Sequence, residues 1–271
     1  MRNRKRSHLS SAWGAVPAVL LWLAPAAVLP QAAAAPKAVP VPEATPAPAP
    51  PIEPAALERM KAMSELLKGA GSFSFAARTA RERPSVNGQM LDFFSASRVE
   101  VSRPNRIRVE AKGDLHDASL WYDGKTLTIY SEKTTFYGQA AAPATIDETL
   151  QMLMDRLQTP LPVAGFLFQD PYARMVDGVK TAFDAGTAQV DGVACRHLAF
   201  SEEDADWQLW IEEGAQPLPR RIAVTYKTVA GAPRVVTTLS DWNLTPTIPA
   251  DKFVFVPPAG ATKVDWKAGS K

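Results

Sequence analysis

Apolar residues recur at every second position through much of the chain, most clearly in its last third. Trp207, Leu209 and Ile211 form one such run, and Ile222, Val224 and Tyr226 form the next. A period of two places those side chains on one face of a strand, as an antiparallel sheet with a single apolar face requires. Strands are expected at about 179–184, 194–201, 206–213, 219–228, 233–243 and 252–256, with turn residues between them. Upstream, 73–79, 91–102, 106–113 and 134–139 also read as strands, and 81–89 as a loop carrying the turn signal Asn87-Gly88. Segment 119–131 reads as a hairpin about Asp123-Gly124, where glycine supplies the positive φ of a tight turn.

The period changes to that of a helix in two places. Leu57, Met60, Met63 and Leu67 fall on one face of 55–69, and Gly69 ends the run. Ile146, Leu150, Leu153, Met154 and Leu157 form the stripe of 145–160. There Thr145 and Glu148 have capping-box spacing, and Pro160 marks the stop. Segment 163–176 reads as a short helix plus loop. The pattern predicts a mainly β (α+β) domain over residues 55–271, with about eleven strands and two or three helices. The apolar sheet face must be covered, and helices that cover it only partly leave a groove.

The N-terminus adds an export signal. Arg2, Arg4, Lys5 and Arg6 precede an apolar stretch from Ala12 to Leu29, broken by Pro17 and Pro25. Ala32-Ala33-Ala34 then supplies small residues for cleavage before Ala35, which sets residues 1–34 apart as a signal peptide. Residues 35–54 are a Pro/Ala linker, with a reach of roughly 60 Å in extended polyproline form. Periplasmic export follows; an uncut signal would instead tether the domain to the inner membrane.

Charge then narrows the partners. The formal net charge is +2, from 30 basic and 28 acidic residues. Four of the basic residues leave with the signal, so the mature chain is slightly acidic. It lacks the basic surface that a phosphate backbone needs, and no nucleic-acid partner is expected.

Catalytic chemistry is sparse. His8 leaves with the signal, His116 falls in a loop, and His197 shares a strand with Cys195, the single cysteine. A lone i, i+2 pair lacks the further ligands that zinc needs, so neither a metal nor a cofactor is expected. Cys195 reads as a small buried apolar residue with a free thiol. Glu202, Glu203, Asp204 and Asp206 lack the glycine and spacing of a calcium loop and read as a solvated turn. Met60, Met63, Met152 and Met154 suit either helix core or an adaptable binding surface. No nucleophile elbow, P-loop or dinucleotide fingerprint occurs, and the chain is not expected to be an enzyme.

The segments WYDGKTLTIYS, DWQLWIEEGAQPLPRRIAVTY and LSDWNLTPTIPADKFVFVPPAGA occur in the order seen in LolA-like (LolA/LolB/LppX-type) lipoprotein carriers. Within that superfamily the chain resembles a family of predicted periplasmic proteins, through CRHLAF, DWQLWI and PLPRR. The resemblance spans most of residues 57–265 and is densest after Val190. It implies a strongly curved antiparallel sheet, an unclosed half-barrel with helices plugging its concave face. It also implies a role in carrying, or sensing, acyl chains or lipoproteins. By position, the carriers' functional arginine falls among Arg98, Arg103, Arg106 and Arg108, and the lipidated N-terminal cysteine of anchored relatives is absent.

Together these features predict a monomeric, non-enzymatic periplasmic binding protein holding an apolar ligand, an acyl chain or lipoprotein lipid, between sheet and helices. The expected lining is Trp207, Leu209, Ile211, Ile222, Val224 and Tyr226, under a lid of Met60, Met63, Leu150 and Met154. Trp210, Ala223 and Thr225 are expected on the other face. Arg220 and Arg221 read either as head-group contacts or as solvated strand ends. The alternative is an envelope sensor or interaction module with a packed core that binds a protein partner. The first prediction concerns export: the mature protein begins at or near Ala35 and is recovered in the soluble periplasmic fraction. N-terminal sequencing checks this, and an intact Met1 in the membrane fraction would contradict it.

Overall fold

A computed structural model describes residues 52–115, 117–157 and 161–265. The signal peptide and its cleavage site, linker residues 35–51, His116 and the expected helix stop at Pro160 lie outside the described residues. The chain runs α1 (Pro54–Gly69), β1 (Ser72–Pro84), β2 (Met90–Ser102), β3 (Arg106–Gly113), β4 (Ala118–Tyr122), β5 (Thr126–Ser131) and β6 (Phe136–Ala141). A crossover follows: α2 (Ile146–Leu157), a 3-10 segment (Pro162–Leu167) and α3 (Pro171–Val176). Then come β7 (Thr181–Val190), β8 (Val193–Ser201), β9 (Ala205–Glu212), β10 (Pro219–Tyr226), β11 (Arg234–Asn243) and β12 (Thr262–Val264).

The twelve strands make one sheet in the order β12-β6-β5-β4-β3-β2-β1-β11-β10-β9-β8-β7. Two antiparallel meanders, β1–β6 and β7–β11, are joined where β1 pairs with β11. The end strands β12 and β7 do not pair, so the sheet is an unclosed half-barrel with helices on its inner face. One pairing is parallel, between β12 and β6.

Local chemistry explains the elements. In the β4–β5 turn Gly124 has φ +95°, and a Cβ there would lie 2.7 Å from Asn105 Nδ2. Asp123 Oδ1 accepts from the amides of Lys125 and Thr126, at 2.9 and 2.8 Å. At α2 the Thr145 hydroxyl accepts from the Glu148 amide at 3.3 Å, as a capping box requires. The Glu148 carboxylate accepts a hydrogen bond from the Thr145 hydroxyl at 2.8 Å, in place of the backbone amide of the usual box.

The strand expected at 179–184 runs on to Val190 as β7, and three further differences from the sequence pattern have a packing reason. Residues 252–256 are not a strand. A 3-10 turn over Ala250–Phe253 leads into unpaired chain, and the last strand is β12. The alternation there comes from packing: Phe253 is buried, and Phe255 sits 4.9 Å from the Trp121 ring and 5.1 Å from that of Tyr137. Pro257 and Pro258, with no amide to donate, limit a ladder beyond them. Second, β1 continues through the expected loop to Pro84, because β2 pairs with it residue for residue as far as Met90. Third, the end of the linker joins the domain. Ile52 bridges to Ala182, and the Glu53 carboxylate accepts from the Asp184 amide at 2.9 Å.

The core lies between the inner sheet face and the helices. Met60, Met63 and Leu67 of α1 are fully buried, as are Leu209 and Ile211 of β9 beneath. Ser64 donates its hydroxyl to Asp170 Oδ1 at 3.5 Å, and Lys68 bonds Asp170 Oδ2 at 3.0 Å, so α1 is fastened to α3. The second prediction tests this packing. Leu209→Ala should cost about 2–5 kcal/mol through loss of buried area and a residual cavity. Breaking the exposed Arg78–Asp191 pair with Arg78→Ala should cost under about 1 kcal/mol. Urea unfolding of both variants is the measurement.

Candidate ligand-binding site

The crossover leaves two spaces over the inner face. The first is a cavity of about 310 Å³ between β1–β5 and the α2 side of the crossover. Val99, Ile107, Val109, Leu120 and Ile129 form its floor, and Leu150, Leu153, Leu161, Val163 and Leu167 its roof. Its origin is visible in residue size. Ser95, Ser97, Ala111 and Ala118 occupy inward positions on this half of the sheet, whereas β8 and β9 carry Leu198, Phe200, Trp207 and Leu209. Small side chains under a helix that cannot sink further leave a void. Gly113 holds β2 and β3 close at this end, since a Cβ there would lie 2.6 Å from that of Ser95.

The second space is a cleft of about 460 Å³ between the crossover and β9–β10. Met154, Trp207, Ile222, Val224 and Tyr226 form its apolar part, and Arg174, Asp177, Glu202 and Asp204 its polar rim. Leu161 belongs to the walls of both spaces. Trp207 stacks on Phe200 with centroids 3.9 Å apart, and its indole N–H donates to Glu202 Oε1 at 2.6 Å. Burial pushes the Glu202 carboxyl above the ordinary glutamate value; the indole bond opposes this, and Asp204 and Asp177 add to it. Burial also raises the Tyr226 phenol to about 12, against the pull of the Arg81 guanidinium. Tyr226 is therefore neutral at physiological pH.

The expected site residues are divided between these regions. Leu150 lines the apolar cavity. Trp207, Ile222, Val224, Tyr226 and Met154 line the cleft. Met60, Met63, Leu209 and Ile211 lie in the packed core and line neither. Arg103 serves the scaffold. Its guanidinium donates to the carbonyls of Leu167 and Phe168, at 3.2 and 2.9 Å, and lies 5.5 Å over the Phe73 ring. Arg98 is largely exposed beside Glu100, and Arg108 pairs with Glu110. None of Arg98, Arg103, Arg106 or Arg108 lines the apolar cavity; Arg81 does. Its signal was the alternation Phe73, Phe75, Ala77, Thr79, Arg81, hidden when β1 is ended at Thr79.

Other candidate chemistry lies elsewhere. Cys195 is a buried free thiol, pushed up in pKa by that burial, and lies outside the main core cluster. His197 stacks on Trp210 at 4.2 Å and bonds Gln208 Oε1 at 3.0 Å. Glu212 pairs with Arg220, and Arg221 bonds the Thr238 hydroxyl at 3.1 Å. In the acidic run Glu203 pairs with Lys180 and Asp206 with Lys227, whereas Glu202 turns inward to Trp207. No group of three or more metal-ligating side chains is assembled among the described residues.

A family model described as "Predicted periplasmic protein (DUF2092)" matches residues 56–266. No curated protein matches the chain in sequence. Several solved structures are similar to it. An uncharacterised conserved protein from Thermus thermophilus is 14% identical with a TM-score of 0.45, over 78% of this chain and 99% of that one. The lipoprotein LppX from Mycobacterium tuberculosis is 15% identical with a TM-score of 0.42, over 73% and 100%. A LolA superfamily protein from Nitrosomonas europaea is 10% identical with a TM-score of 0.40, over 74% and 97%.

Glu202 yields the third prediction. Its folded-state pKa is raised, so between the ordinary glutamate value and the raised one the folded state keeps a proton that the unfolded chain has released. Stability therefore falls as pH rises through that window. Glu202→Gln removes this loss, while its side-chain oxygen can still accept from Trp207. The variant should melt higher than wild type at pH 7 and close to wild type at pH 4, as measured by thermal denaturation at both values.

Proposed function

Because the chain belongs to the DUF2092 family of predicted periplasmic proteins, we propose that its domain is a non-enzymatic binding protein for an apolar ligand, an acyl chain of a lipid or lipoprotein. The observation that carries this reading is the apolar cavity beneath α2. Its volume of about 310 Å³ lies at the lower end of the roughly 300–1,000 Å³ of ligand pockets. Burial of a methylene group is worth about 0.8 kcal/mol, so ten would contribute roughly 8 kcal/mol before ordering costs reduce it. A longer ligand would pass Leu161 into the cleft and meet Met154, Trp207, Ile222, Val224 and Tyr226. Met60, Met63, Leu209 and Ile211 would support that wall from behind. The proposed location is the periplasm, after cleavage of the signal before Ala35.

A fluorescent fatty acid tests the reading. It should bind wild type, and Val109→Arg should weaken binding by roughly tenfold or more, because an unpaired charge would enter the apolar floor. Val109 is half-buried at its strand position, so the substitution should leave the fold detectable by circular dichroism. Val224→Arg reads the second space: a similar loss extends the ligand into the cleft, and unchanged affinity confines it to the cavity. Absence of binding by wild type would favour the protein-interaction module.

A further inference from the structure

Arg81 stands out among the cations. It extends β1 on the inward-facing series, lines the apolar cavity and is half-buried. Its side chain makes no hydrogen bond or ion pair among the described residues. Its neighbours do not neutralise it. In register it faces Phe93 on β2 and Val235 on β11. The charged or titratable groups that act on it are Tyr226, which is neutral at physiological pH, and Arg83, which repels it. Glu82, next in sequence, is engaged by the Arg234 amide at 2.8 Å. Burial accordingly disfavours the charge on Arg81. A cation held against an apolar wall without a counter-ion costs free energy that an incoming anion would recover.

Two hydroxyls lie beside it. Thr79 Oγ1 and Thr237 Oγ1 are 2.9 Å apart, and both residues line the cavity. One hydroxyl donates to the other, which leaves the second O–H free to donate. Charge and donor thus line one space, whose other walls are apolar except for Ser95, Ser97 and Ser119. We propose that Arg81, with the Thr79–Thr237 pair, binds the anionic head of a single-chain amphiphile, a carboxylate or phosphate, whose acyl tail fills the cavity. This rests on the acyl-chain reading above and adds the charge of the ligand.

The probes are dodecanoate, dodecyl phosphate and the neutral dodecanol, titrated against the purified protein by displacement of an apolar fluorophore. Wild type should bind at least one anion roughly ten- to a hundredfold more tightly than the alcohol, as a charge-assisted hydrogen bond allows. The anion preferred identifies the head group as fatty-acid-like or phospholipid-like. Arg81→Gln should bring the anion-to-alcohol ratio close to one, and Arg81→Lys should restore part of it. Equal binding of anions and alcohol by wild type overturns the head-group assignment and leaves the acyl-chain reading standing; so does a ratio unchanged in folded Arg81→Gln. Failure of wild type to bind any of the three overturns both. Because the wild-type ratio is decisive alone, a variant that does not fold leaves the test intact.

Discussion

The pairing of β1 with β11 is the interaction on which the architecture depends. It joins residues as far apart in sequence as Thr79 and Thr237, which are separated by 158 positions. Without it the chain would be two meanders, each with an apolar face and an exposed edge. The seam is also packed. Phe73 and Phe75 of β1 are fully buried, the Trp242 ring of β11 stacks on Phe75 at 4.4 Å, and its indole N–H donates to the Pro219 carbonyl at 3.0 Å. Closing so long a loop must precede the reward from these contacts, so the seam forms at high entropic cost.

Joining the meanders leaves β7 and β12 as the end strands, β7 bridged only by Ile52, and the concave face must then be covered from outside the sheet. The cover is unequal. α1 lies over the C-terminal half with large residues on both sides of the contact, and that half is filled. α2 and the 3-10 segment lie over inward positions that include Ser95, Ser97, Ala111 and Ala118, and that half retains a cavity. Arg103 and Asp170 hold the crossover over residues 167–170, one through the Leu167 and Phe168 carbonyls and the other through its bonds to α1. The void persists because its roof is anchored and cannot collapse onto its floor.

Polar groups at the inner face follow the same division. Beside the filled half, Glu202 is satisfied by the Trp207 indole. Beside the open half, Arg81 has no such partner. An unpaired charge is far less costly near a space that a ligand can enter than in a filled core. The electrostatic asymmetry therefore coincides with the packing asymmetry, and both arise where small residues replace large ones.

The amino-acid sequence by itself determined the local features. Alternation marked the strands and put Trp207, Leu209, Ile211, Ile222 and Val224 together on one face, and all five are buried. Thr145 and Glu148 marked the start of α2, Asp123-Gly124 marked its hairpin, and Cys195 was readable as a buried thiol. The tertiary structure decided which half of the inner face stays open. It also decided that β1 runs on to Arg81, that the 252–256 alternation serves phenylalanine packing, and that β12 closes onto β6. A periodic pattern states which way a side chain points, and nothing about the size of what lies opposite. Across this sheet the opposite residue can be more than a hundred positions away, so cavity and partner emerge only once the β1–β11 seam has brought the two halves together.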